Sequence, residues 1–148
     1  MGRILRVVVP IFLILALVAT WLLWPRKASV VRLGGSQPEL EQAISESRRR
    51  LPEFTAALRN AAEGDRFAIR GRFKTDAGAE FLWVKDPIPS PKGYIGLLDQ
   101  KPVALAKKRG DLVLVKSEDV VDWMARSGGK SIGGFTESAL ADRQKSRR

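Results

Sequence analysis

Acidic side chains are the groups in this sequence best suited to chemistry, because the chain has no histidine and no cysteine. The missing histidine removes the usual general base and the imidazole metal ligands. The missing cysteine removes disulfides, thiolate nucleophiles and thiolate metal sites. Phosphate-loop, zinc and EF-hand spacings are also absent from the sequence. We therefore expect no cofactor and no metal, and any catalysis would depend on carboxylates, lysines, hydroxyls or Tyr94.

Two carboxylates stand out because each lies close to a tryptophan. Glu80 and Trp83 are three residues apart in one segment, and Asp122 directly precedes Trp123. Side chains alternate between the two faces of a strand, so a core-facing tryptophan places its carboxylate on the opposite face. Two outward carboxylates on one side of a sheet could act as acid and base, or bind a cation or a cationic partner. The structural alternative is that Asp122 caps a turn or pairs with an arginine, while the tryptophans fill the core.

The segment Gly133-Gly134-Phe135-Thr136 is the other candidate for function. Adjacent glycines indicate either a bulge or corner with positive φ, or a backbone that comes close to a ligand. Thr136 is suited to cap a helix over Glu137–Gln144. A structure in which Glu80, Asp122 and Thr136 converge on a cleft would favour a binding or catalytic site.

A helix must precede the elements that position these residues. Ser36 and Glu39 form a capping box, and apolar residues then recur at helical spacing until Gly64 ends the pattern. Pro52 interrupts this helix, so we expect a kink or break near Arg49–Leu51.

After Gly64 the apolar period changes to two, which predicts strands. The first, Arg66–Lys74, has one apolar and one basic face, and Asp86–Gly93 is predicted to be a loop because it holds three prolines. The other predicted strands are Glu80–Lys85, Tyr94–Leu98, Leu112–Lys116, Glu118–Met124 and Lys130–Phe135. Val103–Lys107 fits either a strand or a helical turn, and Ser117 could instead cap a short helix.

These elements predict an α+β fold with a long N-terminal helix packed on a strongly bent antiparallel sheet or small open barrel, after one transmembrane helix. Consecutive strands joined by tight turns favour the antiparallel arrangement. The predicted organisation is a basic tail (1–6), an anchor (7–24), a linker (25–35), an α+β domain (36–141) and a second basic tail (142–148).

The run Val7–Trp24 contains no charge and would span about 27 Å as a helix, close to the thickness of a bilayer core. Trp21 and Trp24 lie near its end, where indoles favour the membrane interface. A cleaved signal peptide and a buried core helix are the alternatives. The run is long for a signal peptide, and a chain this short cannot enclose a helix that is apolar on all sides.

The formal net charge of +10 is concentrated at the two ends of the chain. Residues 1–27 carry +4 and residues 126–148 carry +4, which leaves the middle of the chain with +2. A nucleic-acid site would place its basic residues on the fold itself, so we expect no nucleic-acid partner. The basic ends fit attraction to anionic lipid or solubility.

Five short motifs resemble a bacterial family catalogued as domain of unknown function 2314, over about residues 40–141. They are Phe67-x-Ile69 with Phe73, Glu80-x-x-Trp83, Gly110-Asp111-x-Val113, Asp122-Trp123 and Gly133-Gly134-Phe135-Thr136. The resemblance implies a small bacterial protein of a type often exported or membrane-attached, and it implies no activity. Arg70 stands where the family pattern suggests lysine.

These observations favour a non-enzymatic, membrane-anchored binding or interaction module. Its partners would be membrane lipid, through the anchor, and an unknown protein or envelope component. We expect a monomeric domain on the extracytoplasmic side of a single-pass inner-membrane anchor. An immunity or inhibitor protein that neutralises a partner, and a carboxylate-dependent hydrolase, are the alternatives.

Overall fold

A computed structural model describes residues 38–146 of the chain. The predictions for the basic tail 1–6, the run Val7–Trp24 with Trp21 and Trp24, the linker 25–35 and the last two residues lie outside this range. Within residues 38–146, no helix is long and apolar enough to cross a membrane.

Three helices and six strands make up the described domain. The helices are α1 (Pro38–Arg49), α2 (Leu51–Arg59) and α3 (Phe135–Ser146). The strands are β1 (Arg66–Thr75), β2 (Gly78–Ser90), β3 (Gly93–Leu98), β4 (Leu112–Lys116), β5 (Val120–Ser127) and β6 (Lys130–Gly133). A short 3₁₀ helix, Ser117–Asp119, connects β4 to β5.

The six strands form one antiparallel sheet in the order β4-β3-β2-β1-β5-β6, and the sheet does not close into a barrel. The α+β class and the antiparallel arrangement are therefore confirmed. The sheet curls on itself, and this brings the side chain of Val115 on β4 against Gly71 on β1. A Cβ atom added to Gly71 would be 2.8 Å from Val115 Cγ1. Only glycine leaves room for this contact.

The prediction of one long N-terminal helix was wrong, because the chain forms two shorter helices that break at Arg50. Pro52 causes the break where it was expected, since proline is favoured in the first turn of a new helix and not inside a continuing one. The second helix ends at Arg59, earlier than Gly64. The side chain of Asn60 donates a hydrogen bond to the Ala56 carbonyl oxygen at 2.9 Å and helps to end the helix there.

The proline-rich segment belongs to a strand and is not the loop that its composition predicts. β2 runs through it to Ser90, with Ile88 opposite Ile95 and Pro89 opposite Tyr94 on β3. The register shifts between Lys85 and Ile88, where Asp86 has a φ of +51°. Prolines are accepted in sheets at such irregularities, because the ladder hydrogen bond is already missing there.

Helix α2 covers one face of the sheet, here called the first face. Phe54 is fully buried, and the rings of Phe67, Tyr94 and Trp123 surround it with centroid distances of 5.9, 5.7 and 5.4 Å. The Tyr94 hydroxyl lies 2.6 Å from Thr55 Oγ1, so its polar end is satisfied within the core. Most of the apolar core lies on this first face.

Helices α1 and α3 pack together and cover part of the opposite, second face. Leu40 and Ile44 of α1 and Leu140 of α3 meet Phe81 on β2 and Val121 on β5. The end of α1 also reaches the edge of β5, where Arg48 donates hydrogen bonds to the carbonyl oxygens of Val120 and Glu118 at 2.9 and 3.0 Å. These bonds connect the end of α1 to the 3₁₀ helix and to the first residue of β5.

Candidate functional site

The register of β2, β1 and β5 places three functional side chains in one row on the second face. Arg70 pairs with Trp83 on one side and with Asp122 on the other. The start of α3 then brings Thr136 and Glu137 to the same place. We call these five residues the Asp122 cluster: Arg70, Trp83, Asp122, Thr136 and Glu137.

Asp122 holds the beginning of α3. Its carboxylate accepts hydrogen bonds from the backbone N–H of Phe135 at 3.1 Å and of Thr136 at 2.8 Å, and from the Thr136 hydroxyl at 2.6 Å. It also accepts one from the N–H of Trp123 at 2.8 Å. A carboxylate at a helix N-terminus satisfies free N–H groups and interacts favourably with the helix dipole. Asp122 therefore caps α3 from a neighbouring strand, and Thr136 lies within the helix as a donor to Asp122.

Arg70 lies between aromatic and acidic groups. Its guanidinium carbon is 5.8 Å from the centre of the Trp83 ring, and its Nη1 is 3.4 Å from Thr136 Oγ1. The Trp83 indole N–H donates to Glu137 Oε1 at 3.2 Å. A guanidinium placed against a tryptophan face and between two carboxylates is stabilised by cation–π and ionic attraction.

Burial shifts the pKa values of the three charged residues in this cluster. It raises the pKa of Asp122, and the hydrogen bonds from Thr136, Trp123 and Phe135 oppose that rise. It also raises the pKa of Glu137, against the positive charge of Arg70 and the Trp83 hydrogen bond. The pKa of Arg70 is lowered by burial, and Glu137 and Asp122 oppose that effect. Desolvation disfavours each charged form, and the neighbours partly restore it.

Glu80 performs a similar structural task elsewhere. It lies opposite Phe73 on β1, which puts it on the first face. Its carboxylate accepts hydrogen bonds from the backbone N–H groups of Val103, Ala104 and Leu105 at 2.6, 3.1 and 3.0 Å. Val103–Lys107 is therefore neither the strand nor the helical turn considered from sequence, but an irregular segment fixed by one buried side chain.

The two carboxylates do not come together. Glu80 lies on the first face and Asp122 on the second, and both are buried, at 5% and 0% exposure. Buried carboxylates on opposite sides of a sheet cannot share a substrate, so the pair of outward acid and base considered above does not exist. Asp122 and Thr136 do meet, but in a helix cap and not in an open cleft.

Trp123 and the two glycines form the neighbouring corner on the first face. The Trp123 indole N–H donates to the carbonyl oxygen of Ser47 at 2.8 Å, and the residue is only 1% exposed. Gly133 and Gly134 have φ values of +96° and +73°. A Cβ atom added to Gly133 would overlap the Trp123 carbonyl oxygen. The glycines thus allow β6 to turn closely against β5 before α3 begins.

A small cavity lies beside the cluster, between α1, α3 and the sheet. It has about 20 Å³ of room and is lined mainly by apolar side chains, with Arg70 and Thr136 at its polar side. This space is enough for about one water molecule and too small for a substrate. Within residues 38–146, no group of three or more acidic, histidine or cysteine side chains is arranged to hold a metal ion.

Two members of the cluster were missed in the sequence. The sequence pattern places Arg70 on the basic face of the first strand, yet the residue is only 3% exposed. The signal that could have identified it is the alternation of Phe81 and Trp83 on the next strand, which indicates that this face is also covered. Glu137 was assigned only to the body of the last helix, and no local pattern marks its contact with Trp83.

Comparison with known proteins identifies the family of the chain. Residues 37–147 match the family model described as an uncharacterised protein conserved in bacteria, domain of unknown function 2314. The chain is also 27% identical, over 113 residues, to the uncharacterised protein YegJ of Escherichia coli (strain K12). That match covers 76% of this chain and 73% of YegJ. No solved structure matches the chain. The match over residues 37–147 spans most of the chain, and the protein belongs to the bacterial family of domain of unknown function 2314.

Proposed function

We propose that the protein is a membrane-anchored, non-enzymatic binding or interaction module of the bacterial cell envelope. The run Val7–Trp24 would anchor it, and the α+β domain would contact a protein or another envelope component from the extracytoplasmic side. The domain would act as a monomer.

The observation that carries the non-enzymatic part is the use of the two central carboxylates. Each carboxylate accepts hydrogen bonds from three backbone N–H groups, and each is buried. A general acid or base must reach the proton that it transfers, directly or through one water molecule. Neither Glu80 nor Asp122 has that access, and this geometry speaks against the carboxylate-dependent hydrolase.

The anchored part rests on the sequence. An uncharged run of 18 residues, flanked by arginine and lysine and ending with two tryptophans, meets the length and interface criteria for a spanning helix. Anchoring also suits a binding module, because attachment itself restricts where the module meets its partner.

Fractionation tests the anchor. We expect the full chain in the membrane fraction after alkaline extraction. Replacing Leu13 and Leu17 by arginine should release it, because each charge at a helix centre costs about 2.5–3.5 kcal/mol of insertion free energy. Ile132→Arg, a control in an exposed strand position on β6, should leave the chain in the membrane. Recovery of a soluble product shortened by about 20–25 residues would identify a signal peptide and contradict the anchor.

A further inference from the structure

The second face of the sheet is covered at one end and open at the other. Phe81 and Trp83 on β2 are buried beneath the helices, whereas Ile88, further along the same strand, is 68% exposed. The open part continues over β3 and β4. We call this surface the β2–β4 face, and its apolar side chains are Ile88, Ile95, Leu97, Leu112 and Leu114.

Cross-strand pairing makes the β2–β4 face one continuous apolar surface. Ile88 lies opposite Ile95, which lies opposite Leu114, so the three side chains form a row across three strands. Leu97 and Leu112 form the next row on the same face. Leu112 is 64% exposed and Leu114 is 39% exposed. Adjacent exposed apolar side chains of this kind mark a contact surface, unlike single apolar residues scattered over a surface.

Lysines border this surface along the strands. Lys85 pairs with Leu97 at one end of the face, and Lys116 lies two residues beyond Leu114 at the other. Lys92 stands in the turn between β2 and β3. Within residues 38–146, none of these three lysines forms an ion pair with a carboxylate.

The segment that contains the β2–β4 face and its three lysines also has a net positive charge. Residues 85–116 contain seven basic and three acidic residues. Of the three acids, Asp99 pairs with Arg109 at 3.5 Å, and Asp111 accepts a backbone hydrogen bond from Lys108 at 3.0 Å. Four of the seven basic residues, Lys101, Lys107, Lys108 and Arg109, lie in the segment between β3 and β4, and the third acid, Asp86, is exposed next to Lys85. Lys85, Lys92 and Lys116 are therefore the basic residues on or next to the strands that carry the apolar face.

An apolar surface bordered by lysines has the chemistry of a membrane-surface contact. Apolar side chains enter the boundary between headgroups and acyl chains, while each lysine near the surface gains about 1 kcal/mol from anionic lipid. The covalent connection also favours this occupant. Thirteen residues separate Trp24 from Pro38, and an extended chain of that length reaches about 45 Å at most.

We propose that the β2–β4 face docks onto an anionic lipid bilayer, with Ile88, Ile95, Leu112 and Leu114 at the interface and Lys85, Lys92 and Lys116 beside phosphate headgroups. This proposal rests on the proposed membrane anchor, which keeps the face close to the bilayer. It gives the domain a fixed orientation in which α2 lies on the far side of the sheet from the lipid, whereas α1 and α3 cover the other end of the lipid-facing side.

Site-specific fluorescence in nanodiscs tests the proposal. The chain has no cysteine, so Leu114→Cys carries one environment-sensitive label in the full chain, and Leu112→Cys serves if that variant does not fold. Ile132→Cys is the matched control, because Ile132 is also exposed, at 46%, but lies on β6 at the opposite edge of the sheet. Discs contain phosphatidylcholine alone or with phosphatidylglycerol, and nitroxide lipids act as the quencher.

We expect nitroxide lipids to quench the label at position 114 about two-fold or more in discs with phosphatidylglycerol, and weakly in neutral discs. The label at position 132 should stay unquenched in both. Exchanging Lys85 and Lys116 for glutamine should reduce the quenching, whereas exchanging Arg126 and Lys130, exposed on the opposite hairpin, should not.

Four results would overturn the proposal: no quenching at position 114, equal quenching at positions 114 and 132, quenching independent of anionic lipid, or burial of the label in detergent alone. The last result would indicate that a second copy or another segment of the chain covers the face. Incorporation of the chain into discs is measured separately by size exclusion, so failure of the anchor is distinguished from failure to dock.

Discussion

Single residues in this domain support the backbone over unusually long distances in sequence. Asp122 satisfies N–H groups of residues 135 and 136, and Glu80 satisfies those of residues 103–105. A conventional helix cap comes from the residue directly before the helix. Here glycine occupies that place at position 134, and a buried carboxylate on another strand supplies the acceptor. Removing such a carboxylate affects both the strand that carries it and the segment whose N–H groups bind it.

Asp122→Ala should lower the free energy of unfolding by about 2–4 kcal/mol, because it removes the cap of α3 and leaves buried N–H groups without an acceptor. Glu63→Ala, which removes an exposed carboxylate, should change stability by less than about 0.5 kcal/mol. Thermal or urea unfolding of the purified chain, followed by circular dichroism, measures both. Equal stability of the two variants would show that Asp122 is not a structural cap.

Glu137 should make stability depend on pH. Burial raises its pKa in the folded state, whereas the unfolded chain releases this proton near its ordinary pKa of about 4.3. The folded state then holds more protons in this window, so the contribution of Glu137 to stability is complete below about pH 4 and falls as pH rises through the folded pKa.

Comparison with Glu137→Gln isolates this effect. As pH rises from about 4, the glutamine variant should gain stability relative to the natural chain, and the difference should level off above the folded pKa. Urea unfolding at a series of pH values gives the difference directly. A difference that does not vary with pH, or one that favours the natural chain as pH rises, would contradict the prediction.

Some of the site could be predicted from the sequence, and the rest depends on register. Asp122 and Trp123 were identified because a carboxylate directly precedes a tryptophan, and Thr136 because it closes the Gly-Gly-Phe-Thr segment before a predicted helix. That Asp122 bonds to Thr136 could not be inferred, because it depends on how β6 turns back against β5. Arg70 resembles the exposed arginines on either side of it, and only the helices packed on the second face distinguish it.

At the scale of elements, proline had opposite effects in the helical and strand regions. Pro52 divides the helix because a continuing helix needs the N–H that proline lacks. Pro87 and Pro89 do not end β2, because the strand is irregular after Lys85 and pairs with β3 again from Ile88. Sequence patterns reveal where a hydrogen bond is missing but not whether the strand resumes beyond it.

The corner between β6 and α3 offers a paired test of backbone geometry. Both Gly133 and Gly134 have positive φ, but only at Gly133 would a Cβ atom overlap the Trp123 carbonyl oxygen. Gly134→Ala should therefore cost about 1–2 kcal/mol of stability for the left-handed backbone alone. Gly133→Ala should cost clearly more, about 3 kcal/mol or above, because β6 must also move. Similar losses in the two variants, measured by thermal unfolding, would contradict the close approach.

At the scale of the whole molecule, the remaining prediction concerns the side of the membrane. Basic residues flank both ends of Val7–Trp24, so the positive-inside rule gives little preference, and long domains cross largely regardless of charge. The absence of cysteine is compatible with an oxidising compartment. We expect an active alkaline phosphatase and a dark fluorescent protein when each is fused to the C-terminus. The reverse pair of results would place the domain in the cytoplasm.

The packing of α1 against α3 has a consequence for the order of synthesis. The first helix of the described domain needs the last one as its neighbour, and Arg70 gains the nearby carboxylate of Glu137 only after residue 137 has been made. Until the ribosome has added these residues, the nascent chain contains β1 and the Arg70 side chain without the last helix that covers them. Domains generally fold as units, and this one cannot close until residues up to about 146 have left the exit tunnel.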